Sequence, residues 1–369
     1  MSPDSDLPLI LVLEPYFGGS HRRFLNGLQR VLARDCRFEL LTLPARGWKW
    51  RMRLAAPLLA EVIARRLAAG ELAKPVRILC SSLLDLATLK ALLPAAWQGV
   101  PLTVYFHENQ FAYPVRVEDY RDLHFALTNY TTALAAQRPA FNSAYNLTTF
   151  LAGCREVLVK APDMPLLDSV ERIAKHSVIL PPGLDLAAID AVAPPPRTSG
   201  PPVILWNHRW EHDKQPELFA AAIRRLAADN FPFRLIIAGQ EFVRGGEVFA
   251  RIRQDLPEHL LHFGFVADRA AYYRLLGQAD LVVSTAAHEF FGLAVLEAVR
   301  AGCRPLLPAR LAYPELFPPP YLYADDGELV PALKAACRAG RLAREQAVKL
   351  TAPYDWSTLA PRYCQWLLA

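Results

Sequence analysis

Short, unbroken apolar runs alternate along this chain with segments in which apolar residues recur at helical spacing. The first run, residues 7–13, ends at Glu14-Pro15-Tyr16-Phe17-Gly18-Gly19-Ser20-His21 and passes into the helical pattern of Arg22-Arg23-Phe24-Leu25-Asn26-Gly27-Leu28. A buried strand, a glycine turn and a helix open a doubly wound α/β domain, with Ser20 as the candidate N-cap. Further strands are expected at 38–43, 76–80, 102–106, 140–141 and 177–180, with helices at 57–69 and 128–137 among the segments between them. Strands separated by helices build a parallel sheet.

A proline-rich stretch at 191–202 interrupts this order, and its composition predicts a stiff, extended linker. The pattern then restarts, with strands expected at 203–206, 234–238, 261–263, 281–284 and 305–307. Within 354–369, Leu359, Tyr363, Trp366 and Leu367 fall on one helical face. The expected organisation is a Rossmann-like domain over 1–190, the linker 191–202, a second Rossmann-like domain over 203–350, and a terminal helix within 351–369 that packs back toward the first domain. Ligands of such domains bind at the carboxyl ends of the strands, so two facing domains would share a cleft.

Composition narrows the class. Of 369 residues, 53% are hydrophobic and 21% charged, which excludes a disordered chain. The net charge of +5 is carried largely by arginine, 33 Arg against 8 Lys, and permits a polyanionic partner without demanding one. Cys36, Cys80, Cys154, Cys303, Cys337 and Cys364 form no C-x-x-C pair, so neither a zinc site nor a disulfide framework is expected, and free thiols in a reducing compartment are. The acidic start, Asp4-Ser5-Asp6, is unlike a signal peptide. The apolar stretch 55–73 is broken by Glu61, Arg65, Arg66 and Glu71, so no membrane span is expected and a cytoplasmic location is.

The candidate chemistry lies after strands. His288-Glu289-Phe290-Phe291-Gly292-Leu293-Ala294-Val295-Leu296-Glu297-Ala298 follows the strand expected at 281–284 and enters a helix near Gly292. Glu289 falls in the loop at the strand's carboxyl end. Backbone N–H groups of Phe291, Gly292 and Leu293 at a helix start can bind phosphate or sugar oxygens, and Glu297 lies further along, within reach of ribose hydroxyls. Two solvated glutamates around a helix start would give the same spacing. Trp206-Asn207-His208-Arg209-Trp210-Glu211-His212-Asp213-Lys214-Gln215-Pro216 follows the first strand of the second domain. There Arg209 and Lys214 can neutralise a diphosphate; an exposed charged loop is the plain alternative.

Three more segments qualify in the first domain. Gly18 and Gly19 let a backbone approach a ligand closely, but a turn this short also serves structure alone, and G-x-G-x-x-G is absent, so nothing points to a nicotinamide or flavin enzyme. In Tyr105-Phe106-His107-Glu108-Asn109-Gln110-Phe111-Ala112-Tyr113-Pro114, four successive hydrogen-bonding side chains end a strand and suit a hydroxyl-rich ligand. Arg46-Gly47-Trp48-Lys49-Trp50-Arg51-Met52-Arg53 interleaves cations with tryptophans, which suits phosphates and unpaired bases. It equally suits a helix start with buried tryptophans.

At these residues a resemblance becomes specific. The C-terminal half resembles the retaining glycosyltransferases of family four, with a GT-B fold of two facing Rossmann domains, through Glu289 to Glu297, Arg209 with Lys214, Ala238-Gly239-Gln240, His262-Phe263-Gly264-Phe265 and Gln278-Ala279-Asp280. The N-terminal half resembles the tRNA-queuosine α-mannosyltransferases, through Glu14 to His21, Trp48-Lys49-Trp50-Arg51, Tyr105 to Gln110 with Tyr113-Pro114, and Phe141-Asn142-Ser143 with Tyr145-Asn146; Leu311-Ala312-Tyr313-Pro314-Glu315 of the second half matches the same group. Gln215 departs from the wider family's Arg-x4-Lys-Gly, keeping the lysine and changing the residue after it.

The resemblance implies GDP-mannose as donor and, as acceptor, the cyclopentene hydroxyl of queuosine at the wobble position of tRNA for aspartate. It implies catalytic roles for Glu289, Arg209, Lys214 and His107. The donor would meet Gly18, Gly19, Gly239, Gly264, Phe265, Phe291, Gly292, Leu293 and Glu297, with Gly264 and Phe265 near guanine. The acceptor would meet Trp48, Trp50, Arg51, Arg53, Glu108, Asn109, Gln110, Tyr113, Asn142 and Ser143. No metal or other cofactor is expected, since Asp4-Ser5-Asp6 precedes the first strand and Asp325-Asp326 reads as a loop pair. Replacing Glu289 or Lys214 by Ala is expected to cut turnover by at least ~100-fold with the fold intact. The other functions weighed are a family-four transferase with a lipid or saccharide acceptor, which would carry an apolar patch in its first domain, and a non-catalytic sugar-nucleotide or RNA-binding protein.

Overall fold

A computed structural model describes residues 7–114, 122–192, 199–239 and 246–369. Asp4-Ser5-Asp6, Gln240 and the middle of the proline-rich stretch, 193–198, lie outside the described residues. The chain divides into two compact units, the first ending at Gly183 and regaining Trp356–Ala369, the second spanning Leu184–Asp355.

The first unit holds β1 (Leu9–Phe17), β2 (Arg37–Pro44), β3 (Arg77–Ser81), β4 (Leu102–Phe106), β5 (Ala140–Phe141) and β6 (Val178–Ile179). They form one parallel sheet in the order β2-β1-β3-β4-β5-β6. The inner strands are largely apolar because both faces are covered, whereas the edge strand β2 carries Arg37 and Glu39. Leu11 and Leu13 of β1 enter one core, with Ile78 and Phe106, while Ile10 and Val12 enter another, with Phe24 and Leu28. β1 runs beyond the expected end, through Glu14 to Phe17, with a register shift between those two residues. The shift accommodates Pro15, which has no N–H for the ladder.

The helix Trp48–Ala68 begins nine residues before the expected start and runs through Pro57. Pro57 removes one backbone hydrogen bond, at about 3 kcal/mol. The same helix buries Met52, Leu59 and Ile63, at about 1.5–3 kcal/mol each, and their sum decides the outcome.

The second unit holds β7 (Val203–Trp206), β8 (Arg234–Ala238), β9 (Leu260–Gly264), β10 (Leu281–Val283), β11 (Arg304–Pro308) and β12 (Leu322–Tyr323), parallel in the order β12-β11-β10-β7-β8-β9. Its boundary precedes the proline-rich stretch, at Leu184 rather than at 191–202. The physical reason is packing: Leu184, Leu186 and Ile189 share a core with Val203, Leu205 and Val282. Leu184 also pairs with Asp355 as an isolated parallel bridge.

The terminal helix, Trp356–Leu368, belongs to the first unit and packs Trp356, Leu359, Tyr363 and Trp366 against Ile10, Val12 and Phe24. Two glycines grip Trp356. A Cβ at Gly27 would lie 2.1 Å from its indole nitrogen, and one at Gly183 would lie 2.2 Å from its ring.

Gly27→Ala is a direct test of this grip. Helix propensity alone would stabilise the variant by about 1 kcal/mol. Overpacking costs ~1–3 kcal/mol, and Gly183 blocks the ring's retreat. The melting temperature should therefore fall, as thermal denaturation of the two proteins would show.

Candidate active site

The order of the second sheet reads 3-2-1-4-5-6 when its strands are numbered from β7. Its topological switch point, where open α/β sheets bind ligands, therefore lies between β7 and β10. Loops 207–215 and 284–292 leave the carboxyl ends of these two neighbours. Lys214 joins them. It is only 8% exposed, and its ammonium donates to the His288 carbonyl (2.6 Å) and to the carboxylates of Asp213 (3.1 Å) and Glu289 (3.3 Å). An ammonium has three protons, so each has an acceptor inside the protein. Burial alone would lower the Lys214 pKa, but Glu289 and Asp213 outweigh it and raise it. Burial pushes Glu289 up, and Lys214, His208, the Phe291 N–H and His288 together more than reverse that.

This arrangement corrects the expectation that Lys214→Ala leaves the fold intact. Removing one partner from a buried ion cluster leaves charge uncompensated, at about 3–5 kcal/mol. Here Asp213 and Glu289 would face each other without a cation.

Gln215 adopts the left-handed conformation (φ 47°, ψ 58°), where a non-glycine residue costs about 1–2 kcal/mol. The family's glycine fits this position, and Gln215 occupies it with local support. Thr285 donates to the carbonyls of Lys214 (2.8 Å) and Gln215 (3.1 Å), and Arg310 donates to the Gln215 side chain (3.3 Å).

Arg209 stands at the surface, 54% exposed, and pairs with Glu211 at 3.2 Å. His208 Nε2, Trp210 Nε1, Asn207 Oδ1 and Asp213 Oδ1 are buried without a hydrogen-bond partner among the described residues. Such atoms are uncommon in a finished interior and are the attachment points a polar ligand would use. Gly239 has a packing role, because a Cβ there would lie 1.9 Å from the His208 carbonyl oxygen. Gly264 needs its freedom for another reason, a φ of 116°. Phe265 beside it is exposed.

The helix Leu293–Arg300 starts from Gly292 at φ 108°. The Phe291 N–H, expected to face a ligand, instead donates to Glu289 Oε1 at 3.3 Å. The N–H groups of Gly292 and Leu293 have no protein acceptor among the described residues. Glu297 is buried and pairs with Arg269 Nη2 at 2.5 Å. Arg269 also lies over the rings of Tyr272 (5.2 Å) and Tyr273 (4.5 Å). Its i+3 and i+4 spacing to those tyrosines was the available signal for this contact.

In the first unit, the expected acceptor residues separate into two groups. Asn109, Asn142 and Ser143 are buried and spent on the protein itself. Asn109 Nδ2 donates to the Asn146 side chain (2.9 Å) and its Oδ1 accepts from Ala112 N (2.9 Å). Asn142 donates to the His107 carbonyl (2.7 Å), and Ser143 caps the helix Ala144–Leu158. Trp48 packs on Phe125 (5.2 Å) and Tyr113 (6.1 Å). The second group is accessible. Trp50 is 71% exposed, Arg53 lies 4.7 Å above Phe125, and His107 and Glu108 are half-buried. Gln110 is buried, its side-chain amide 3.4 Å from Glu108 Oε1. Gly18 serves packing, since a Cβ there would lie 2.4 Å from Ala45 Cβ, and Gly18 rather than Ser20 is the N-cap of the helix Gly19–Val31. Gly19 is exposed, with φ 49°.

Comparison with known proteins agrees with this architecture. Anabaena HepE in complex with UDP superposes with a TM-score of 0.65 at 16% identity, over 96% of this chain and 98% of that one. Sucrose-phosphate synthase from Thermosynechococcus elongatus gives 0.69 at 15% identity, over 97% and 98%. A model described as family 4 glycosyltransferase in conflict systems matches residues 166–309. The fold is thus the GT-B fold of glycosyltransferases. The tRNA-queuosine alpha-mannosyltransferase of Drosophila melanogaster is 36% identical over 349 residues, covering 92% of this chain and 89% of that protein. A model of the N-terminal part of tRNA-queuosine alpha-mannosyltransferase matches residues 9–184. The chain belongs to the tRNA-queuosine alpha-mannosyltransferase family. A GDP-mannose-dependent alpha-(1-6)-phosphatidylinositol dimannoside mannosyltransferase of Mycobacterium tuberculosis is 31% identical over 136 residues, 35% of this chain and 34% of that protein. Among the described residues, no helix is long and apolar enough to cross a membrane.

The buried imidazoles set a pH dependence. Burial and the Lys214 charge push His208 and His288 down to about 4. The unfolded chain takes up these protons first, from about pH 6.5 downward, so native stability should fall between pH 6.5 and about 4 and lose this contribution fully below that. Denaturant unfolding as a function of pH should show the decline, and His208→Gln should flatten it.

Proposed function

We propose that the protein transfers mannose from GDP-mannose, with retention of configuration, to the cyclopentene hydroxyl of queuosine at the wobble position of tRNA for aspartate. The observation that carries this reading is the 36% identity to the Drosophila protein across 92% of the chain. The GDP-mannose dependence named for the mycobacterial relative supports the donor.

The charges suggest how the donor is held. Asp213 and Glu289 against Lys214 leave a negative excess, which suits the hydroxyl protons of a hexose better than a diphosphate. Glu289 therefore orients the mannose, and Lys214 keeps that carboxylate ionised and in place. The diphosphate takes the exposed guanidinium of Arg209 and the N–H groups of Gly292 and Leu293, a helix N-terminus being an anion site. These donors stabilise the charge that grows on the leaving diphosphate, a contribution of a few kcal/mol. Glu297 binds ribose hydroxyls with its carboxylate already fixed by Arg269, and Phe265 lies beside the guanine. Arg209 and these N–H groups take the place of a divalent metal at the diphosphate.

The first unit takes the acceptor. Trp50 offers a free ring face for a splayed anticodon base, Arg51 and Arg53 offer charge to phosphates, and His107 with Glu108 meets the hydroxyl that attacks. A tRNA acceptor places the reaction in the cytoplasm. A lipid acceptor is the second reading, and exposed Val159, Met164, Leu166 and Leu167 in the first unit are the observation on its side.

The test is incubation with labelled GDP-mannose, in excess chelator, with tRNA containing or lacking queuosine and with phosphoinositide vesicles. Label should enter only the queuosine tRNA. Label in lipid would favour the second reading, and transfer that requires added Mg²⁺ would overturn metal independence. Trp50→Ala should weaken tRNA binding by ~1–3 kcal/mol at an unchanged salt slope. Replacing Arg51 and Arg53 by Ala should reduce that slope by up to about 2.

A further inference from the structure

The first sheet has its own switch point, between β1 and β3, and buried polar residues occupy it. Glu14, on β1, is 2% exposed. Its carboxylate accepts hydrogen bonds from the Tyr16 N–H (2.8 Å) and from the Ser81 hydroxyl at the end of β3 (3.0 Å), and its second oxygen lies 3.1 Å from His21 Nδ1. His21, 6% exposed, lies face to face with His107, ring centroids 4.1 Å apart and planes 34° from parallel. Phe24 meets the His107 ring edge-on at 4.9 Å and Tyr105 meets it at 4.6 Å. The His107 ring is thus enclosed by three aromatic neighbours, its carbonyl is held by Asn142, and it remains half-buried where Glu14 and His21 are sealed.

We propose that Glu14 and His21 are positioning residues for the transfer reaction, a buried carboxylate–imidazole pair that fixes the His107 ring as a hydrogen-bond acceptor for the attacking hydroxyl. The proposal rests on the reading that the first unit binds the acceptor. A carboxylate that orients an imidazole is a recurrent catalytic device, and here it acts one ring further back. The two histidines are driven apart in charge. Burial disfavours charge on His21, but Glu14, with Glu108 also facing it, raises its pKa. Burial and the neighbouring His21 hold His107 well below the usual histidine range. His107 therefore keeps an unprotonated nitrogen while its neighbour carries the proton. Three apolar side chains would fill this volume without the desolvation cost of a buried charge, so fold stability alone does not account for the choice.

Glu14→Gln tests the pair, because an amide nitrogen facing His21 Nδ1 would force the neutral ring into the other tautomer. Nitrogen-15 NMR of the imidazoles at pH 6.5 should find His21 mostly protonated and His107 neutral in the parent protein, and His21 neutral in Glu14→Gln. Turnover of mannosyl transfer to queuosine tRNA should fall at least ~10-fold, with KM for GDP-mannose within about twofold because the donor groups lie in the second unit. Ser81→Ala, which removes one donor to Glu14, should give a smaller fall in the same sense and serves if the glutamine variant does not fold. A neutral His21 in the parent protein, or unchanged turnover in folded Glu14→Gln, overturns the proposal. Absence of transfer by the parent protein would instead overturn the acceptor reading, while the imidazole charges still judge the pair.

Discussion

The second unit turns on one buried ammonium. Parallel pairing of β7 with β10 brings two loops to a common edge, but pairing alone does not hold the loops together. Lys214 does, by giving its three protons to the Asp213 carboxylate beside it in one loop and to the His288 carbonyl and Glu289 carboxylate of the other. The left-handed backbone at Gln215, whose carbonyl Thr285 holds, and the turn of the Phe291 N–H toward Glu289 support that placement. A buried ion cluster is weak evidence for stability. Its position at the switch point is better explained by the chemistry of the ligand.

The first unit repeats the logic with different groups. Glu14 stands on β1 as the residue that receives donors from its own turn, from β3 and from the following helix. In both units a carboxylate at the switch point of the sheet is paired with a cationic or ionisable partner. The partner in the second unit is a lysine, fully charged at any working pH. In the first it is a histidine, whose charge depends on the carboxylate beside it.

Much of this was legible in the sequence, and the reasons differ by residue. Strands such as β4, β7 and β8 were readable because burial on both faces leaves continuous apolar runs. The helix from Trp48 was misplaced because Pro57 suggests a start, and only the summed burial of Met52, Leu59 and Ile63 overrides it. The boundary at Leu184 was missed because composition marks a chain's stiffness and not the core its neighbours join. Glu289, Glu297, Arg209 and Lys214 were singled out by their spacing after strands, and the structure brings Lys214 and Glu289 together. Their partners Asp213 and Arg269 were not, since pairing depends on a fold the spacing does not encode. Asn109, Asn142 and Ser143 look like ligand contacts in sequence because residue type says nothing of burial.

The central claim is that Lys214 and Glu289 act as one unit in transfer. A double-mutant cycle with Lys214→Met and Glu289→Gln, read as turnover of folded enzyme, tests it most directly. If the lysine acts through the carboxylate it holds, the double variant should lose little more than the worse single variant, giving a coupling above ~1 kcal/mol. Losses that simply add would contradict the account and make the two residues independent contributors.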